Sequence, residues 1–79
     1  MIEKQIFFNG QVEEVRRFVD IVDKSDMRIE LVKDDEICCA KSIMGILCFD
    51  LSKPLTLRVH ADQADELLES IDDFIVVGN

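Results

Sequence analysis

The sequence predicts an α+β open-faced sandwich, a four-stranded antiparallel sheet covered on one face by helices. Three observations predict it. Residues 27–33 and 55–61 alternate apolar with polar side chains, so each has one face for a core and one for water. Residues from Val12 and from Ala64 repeat apolar side chains at spacings of three and four, as amphipathic helices do. The elements follow the order β-α-β-β-α-β-α, and strands with a single apolar face need helices on that side only.

Ile6-Phe7-Phe8 reads as the first strand, with Ile6 and Phe8 on one face and Phe7 on the other, and Asn9-Gly10 breaks it. Val12, Val15, Phe18, Val19 and Val22 then form the apolar stripe of a helix of about a dozen residues. Asn9 is its expected cap, and Glu13 and Glu14 suit the positive end of its dipole. Valines disfavour an isolated helix, so packing must hold this one. Met27, Ile29 and Leu31 point inward from the next strand, Asp34-Asp35 turns, and residues 36–40 return as a hairpin. Cys38 and Ala40 share one face of that strand, Ile37 and Cys39 the other. A short helix follows from Ser42 to near Phe49. Pro54 stands where a strand can begin. Leu55, Leu57, Val59 and Ala61 line one face of the last strand; Thr56, Arg58 and His60 line the other. Asp62 is the expected cap of a final helix, with Asp65 three residues on and Ala64, Leu67, Leu68, Ile71, Phe74 and Ile75 as its buried stripe. Val76 to Asn79 reads as a tail.

Seventy-nine residues suffice for one domain, spanning 1–79. A chain of this size buries roughly 60% of its unfolded surface, a core that needs no disulfide or metal. Its net charge of −8 excludes the basic footprint that nucleic acid or an anionic membrane requires, and suits a basic partner. No apolar run approaches the ~20 residues of a membrane helix, and no secretory signal is present. Three cysteines without such a signal fit reduced thiols in a cytoplasm. They show no Cys-x-x-Cys or metal spacing, so no metal or other cofactor is expected. Cys38 reads as a core residue, and Cys39 and Cys48 carry no assigned role. A Cys38–Cys39 disulfide would be strained, because neighbours on a strand point to opposite faces. His60 is the sole histidine and has no partner in the sequence that would make it a nucleophile or metal ligand. The pairs Glu13-Glu14 and Asp72-Asp73 read as solvated faces.

The central stretch Ala40-Lys41-Ser42-Ile43-Met44-Gly45-Ile46-Leu47 is the most informative. A serine at the head of a short helix can accept a hydrogen bond from a first-turn N–H. Ile43, Met44, Ile46 and Leu47 cannot all be buried by so short a helix, which leaves either half-buried core or a docking patch at Ile43, Met44 and Leu47.

The string Lys41-Ser42-Ile43-Met44-Gly45, set before a strand and a final helix that opens Ala64-Asp65-Glu66, resembles HPr, the small phosphocarrier of the bacterial sugar phosphotransferase system. The resemblance runs without gaps from about Lys24 to Ile75 and implies the HPr-like open-faced sandwich. It departs in the first third, where the loop before the first helix is several residues short. HPr proteins carry Gly-[Leu/Ile]-His-Ala-Arg-Pro-Ala there, and that histidine takes a phosphoryl group from Enzyme I. Alignment through the helix sets Gln11 at the histidine, Val12 at the alanine, Glu13 at the arginine and Glu14 at the proline. An amide nitrogen is not a usable nucleophile, and the two glutamates repel phosphate.

The resemblance therefore implies a protein that is not an enzyme and not a phosphohistidine carrier at Gln11. Catabolite-repression HPr also has glutamine there and is regulated through serine by HPr kinase/phosphorylase. By that likeness Ser42 is the candidate regulatory phosphosite, and the expected partners are such a kinase or a transcriptional regulator. Glu13, where those proteins keep the arginine that helps dock the catabolite control protein, counts against that particular regulator. Two other classes stay open. One is a phosphocarrier with a non-standard phosphoacceptor, for which His60 is the only nitrogen candidate. The other is a phosphorylation-independent interaction or dimerisation domain, with a homodimer through the open sheet face at Ile37 and Cys39.

Overall fold

The alternating stretches build one sheet. β1 (Ile2–Ile6), β2 (Ile29–Lys33), β3 (Glu36–Cys39) and β4 (Leu55–Val59) pair antiparallel throughout, in the order β1-β4-β2-β3. A computed structural model describes residues 1–76; Val77, Gly78 and Asn79, most of the expected tail, lie outside the described residues. Leu55, Leu57 and Val59 of β4 and Ile29 and Leu31 of β2 are all buried on the covered face, as their alternation requires. The hairpin of β2 and β3 sets Lys33 opposite Glu36 with only Asp34-Asp35 between. Asp34 takes a φ of 55°, the left-handed value that two-residue hairpin turns demand and that Asp tolerates better than most residues.

Three helices cover that face: α1 (Val12–Val22), α2 (Ile43–Ile46) and α3 (Asp65–Ser70), the last continued by a 3₁₀ turn over Asp72–Phe74. Val15, Phe18 and Val22 of α1 are fully buried, whereas Val12, at the head of the stripe, stands half exposed. Phe18 meets Phe8 and Phe74 in a three-ring cluster with centroids 5.3, 5.5 and 5.8 Å apart, every pair edge to face. Ile46, Phe49, Leu67 and Ile71 complete the core beneath the shorter helices. Gly45 lets α2 lie close on β3. A Cβ there would come within 3.3 Å of Cys38 Cβ and of Ser42 Oγ, so only hydrogen fits without a shift.

Four local expectations are corrected. The first strand is Ile2–Ile6 rather than Ile6-Phe7-Phe8, because pairing with β4 selects the polar run Glu3-Lys4-Gln5. Ile6 and Phe8 are nonetheless both buried and Phe7 only partly so, as their alternation implies. Asn9 does not cap α1; it adopts φ 56°, Gly10 follows at 69°, and Gln11 is the N-cap with no side-chain bond. Asp62 does not cap α3, whose N-cap is Ala64. Finally, Leu68 and Ile75 are half-buried rather than core.

The C-terminal segment returns along β1. Phe7 N–H donates to the Phe74 carbonyl at 2.9 Å, Val76 N–H donates to the Gln5 carbonyl at 2.8 Å, and Ile6 and Ile75 form an antiparallel bridge.

Candidate functional site

The start of α1 is held against the loop that follows α2, where Gly10 N–H donates to the Leu51 carbonyl at 2.8 Å, whereas the start of α2 lies beside the end of α1, where Lys41 donates to the Ser25 carbonyl. The left-handed pair Asn9-Gly10 makes the turn that delivers the chain to α1, and Gln11 N–H closes it on the Phe8 carbonyl at 3.0 Å. Gln11 and Glu13 are both exposed there. Glu14 is engaged with Arg17 through bonds of 3.0 and 3.4 Å. Arg17 also reaches Asp73 at 3.4 Å and lies over the Phe74 ring, 4.7 Å from its centroid. Glu14 first, and Asp73 behind it, hold the Arg17 guanidinium above its ordinary pKa. The side chain at the N-cap is an amide, and the first turn carries the two carboxylates Glu13 and Glu14.

The second start is different in kind. Ser42 is the N-cap of α2 in an extended conformation, and its Oγ accepts from Gly45 N–H at 3.2 Å, the cap the sequence leads one to expect. Its own N–H is bound to the Cys39 carbonyl at 3.0 Å, which fixes the turn from β3 into α2. Ser42 is exposed. Lys41, its neighbour, points away and donates to the Ser25 carbonyl after α1. Of the three expected patch residues, Met44 is 75% exposed and Leu47 38%. Ile43 is partly buried and packs against the core, so it backs the patch rather than forming it. Val12, at the start of α1, is also an exposed apolar side chain, one that sequence periodicity assigns to the core.

The cysteines are free. Burial, and then the charges Cys39 and Cys48 would carry as thiolates, push the Cys38 thiol up to about 11, which makes it an unreactive packing group. Cys39 and Cys48 are exposed. Among the described residues no group of His, Cys, Asp or Glu is arranged to hold a metal ion, and no helix is long and apolar enough to cross a membrane.

His60 has a partner that sequence inspection missed. On the uncovered face its Nε2 lies 2.6 Å from Glu30 Oε1, and Glu30 Oε2 in turn accepts from Arg28 at 3.2 Å. The hydrogen bond from His60 and the Arg28 charge hold the Glu30 carboxyl below its ordinary pKa. The β2–β4 register brings them together, and with only alternation in hand that register cannot be read.

Comparison with known proteins agrees with this arrangement. A family model described as the PTS HPr component phosphorylation site matches residues 13–76. The chain is similar to the crystal structure of HPr-C-His from Thermoanaerobacter tengcongensis, with 26% identity and a TM-score of 0.76 over 92% of this chain and 89% of that one. It also shares its fold with phosphocarrier protein HPr from Bacillus anthracis, at 23% identity and TM-score 0.76, covering 95% and 96% of the two chains. A mycoplasma histidine-containing phosphocarrier protein aligns over 91% of this chain and 86% of its own with TM-score 0.70 and 14% identity. Comparison with curated proteins returns no match. With the sheet order, the helix-covered face and a family match over residues 13–76, the chain belongs to the HPr family of the phosphotransferase system.

Proposed function

We propose that this single domain is a regulatory protein-binding module, controlled by phosphorylation at Ser42 and docking through Met44 and Leu47 with Ile43 behind them. On this reading it acts by binding rather than by turnover and carries no phosphoryl group at Gln11. The observation that supports it most is the pairing of an exposed hydroxyl with an exposed apolar patch on one four-residue helix. A phosphate on Ser42 Oγ adds roughly −1.5 to −2 charge beside Met44 and changes what that patch can accept. Lys41 is committed to Ser25, so within α2 the new charge is left to an outside cation. Suitable partners are an HPr kinase/phosphorylase and a transcriptional regulator that would meet the phosphate with a basic rim.

Incubation with an HPr-type kinase and ATP, read by mass spectrometry, tests it. A single phosphate at Ser42, absent in Ser42→Ala, is the expected result; modification elsewhere or none ends this reading. A second reading has its own support in Ile37, 57% exposed on edge strand β3 beside exposed Cys39. There the domain is a phosphorylation-independent homodimer, and native mass spectrometry showing only monomer at micromolar concentration removes it.

A further inference from the structure

The end of α1 and the side of α3 flank a cavity of about 370 Å³ that shares no residue with the Ser42 patch or with the start of α1. Its lining divides by chemistry. Ile21 and Met27, both half-buried, and Leu67, buried, form an apolar floor. Lys24 and Ser25 stand on the α1 side, where Ser25 N–H closes on the Val22 carbonyl at 3.0 Å and turns the chain away from the helix. Glu66 and Ser70, one helical turn apart, stand on the α3 side. The two sides offer opposite hydrogen bonding. Ser25 Oγ already accepts from Met27 N–H at 3.1 Å and donates to no described group, so its proton is available to a ligand. Ser70 Oγ spends its proton on the Glu66 carbonyl at 2.9 Å, which leaves its lone pairs to accept. The Lys24 ammonium stands beside the donor and the Glu66 carboxylate beside the acceptor. Among the described residues neither charge forms an ion pair, with the other or with any third group.

A ligand that satisfies both sides carries a carboxylate at one end, an ammonium at the other and an apolar body between them. A single α-amino acid holds both charges on one carbon and cannot reach across an apolar floor. A two-residue peptide separates them by up to about 7 Å of backbone and turns its side chains onto that floor. We propose that the groove between α1 and α3 binds a free apolar dipeptide. Its C-terminal carboxylate meets the Lys24 ammonium and accepts from Ser25 O–H. Its N-terminal ammonium meets the Glu66 carboxylate and donates to Ser70 Oγ. Its side chains cover Ile21, Met27 and Leu67. The cavity lies within the ~300–1,000 Å³ usual for small-molecule sites, and its few polar groups set the direction in which the peptide lies. Binding is non-covalent and does not depend on how Ser42 is used.

Leucyl-alanine is the probe, titrated into the isotope-labelled chain and followed by two-dimensional amide NMR. The expected result is a set of saturable shifts centred on residues 24–27 and 66–70, at lower concentration than free leucine requires. Acetylating the peptide amine or amidating its carboxylate should each weaken binding roughly threefold to tenfold, the range of an exposed charge-assisted contact. Each penalty should vanish in the variant that lacks the matching group. Lys24→Gln should bind the amidated and unmodified peptides alike, and Glu66→Gln the acetylated and unmodified ones. Both side chains are exposed, and an unchanged amide spectrum without peptide shows that each variant keeps the fold. The absence of saturable shifts, shifts centred elsewhere, capped peptides that bind as well as the free one, or leucine binding as tightly would each overturn the proposal. So would a penalty that survives in the matching variant. Shifts of the same amides on concentrating the chain alone would show a second copy covering the groove, and would overturn it too.

Discussion

The starts of α1 and α2 are set against different parts of the molecule, the first against Leu51 after α2 and the second, through Lys41, against Ser25 after α1, and they are built from opposite chemistry. At α1 the N-cap side chain makes no bond, the first turn carries two carboxylates, and the nearest cation is spent on Glu14, Asp73 and the Phe74 ring. At α2 the cap is a hydroxyl in place on Gly45, the first turn has no acid, and Met44 and Leu47 face outward. The contrast teaches that one fold can carry carboxylates at one helix start and a capping hydroxyl with exposed apolar side chains at another.

The largest effect that sharpens this comparison is in packing. Ile46 of α2 is fully buried, so Ile46→Ala should cost about 2–5 kcal/mol in urea unfolding, while Val12→Ala at the head of α1 should stay within about 0.5 kcal/mol. Next, Met44→Ala should leave stability unchanged within the same margin and slow phosphorylation of Ser42 by an HPr-type kinase about tenfold, the scale of one lost interface anchor. An unchanged rate would detach the patch from docking. Ser42→Ala should then cost about 1 kcal/mol through the lost cap, whereas Gln11→Ala, with no cap bond to lose, should be close to neutral. Equal costs at the two positions would erase the distinction drawn between them.

The smallest effect concerns the loop after α2 that meets the turn before α1. Asp50 accepts from Ser52 Oγ at 2.6 Å and from Ser52 N–H at 3.0 Å, and these bonds hold its carboxyl below the ordinary value of 3.8. A carboxylate whose folded pKa is depressed adds stability above its unfolded pKa and loses it as pH falls through the folded one. The stability gap between wild type and Asp50→Asn should therefore hold from neutral pH down to about 4 and close below it.

Much of the fold is legible in the sequence, for reasons that can be named. β2, β4 and α1 bury one face each, and such elements announce themselves by period: Ile29 and Leu31, Leu55 to Val59, Val15 to Val22. β1 is not legible in that way. It is an edge strand whose middle, Glu3-Lys4-Gln5, is polar and exposed, and its place is set by a partner some fifty residues away. The caps divide likewise. Ser42 is a hydroxyl at the position where it bonds, whereas Asn9 and Asp62 are good capping types that the chain uses otherwise or not at all, as turn geometry overrides preference. Of the site, Gln11, Glu13 and Ser42 lie at the helix starts where their sequence context puts them, and Glu30 beside His60 needed the register.

The return of the chain along β1 bears on assembly. Two consecutive links and a bridge give the Gln5–Phe7 half of that edge an internal partner, while β3 forms the opposite edge, where the Cys39 carbonyl is taken by Ser42 N–H. Strand addition therefore meets a different obstacle at each edge: the returning chain along half of β1, and the turn into α2 at the end of β3.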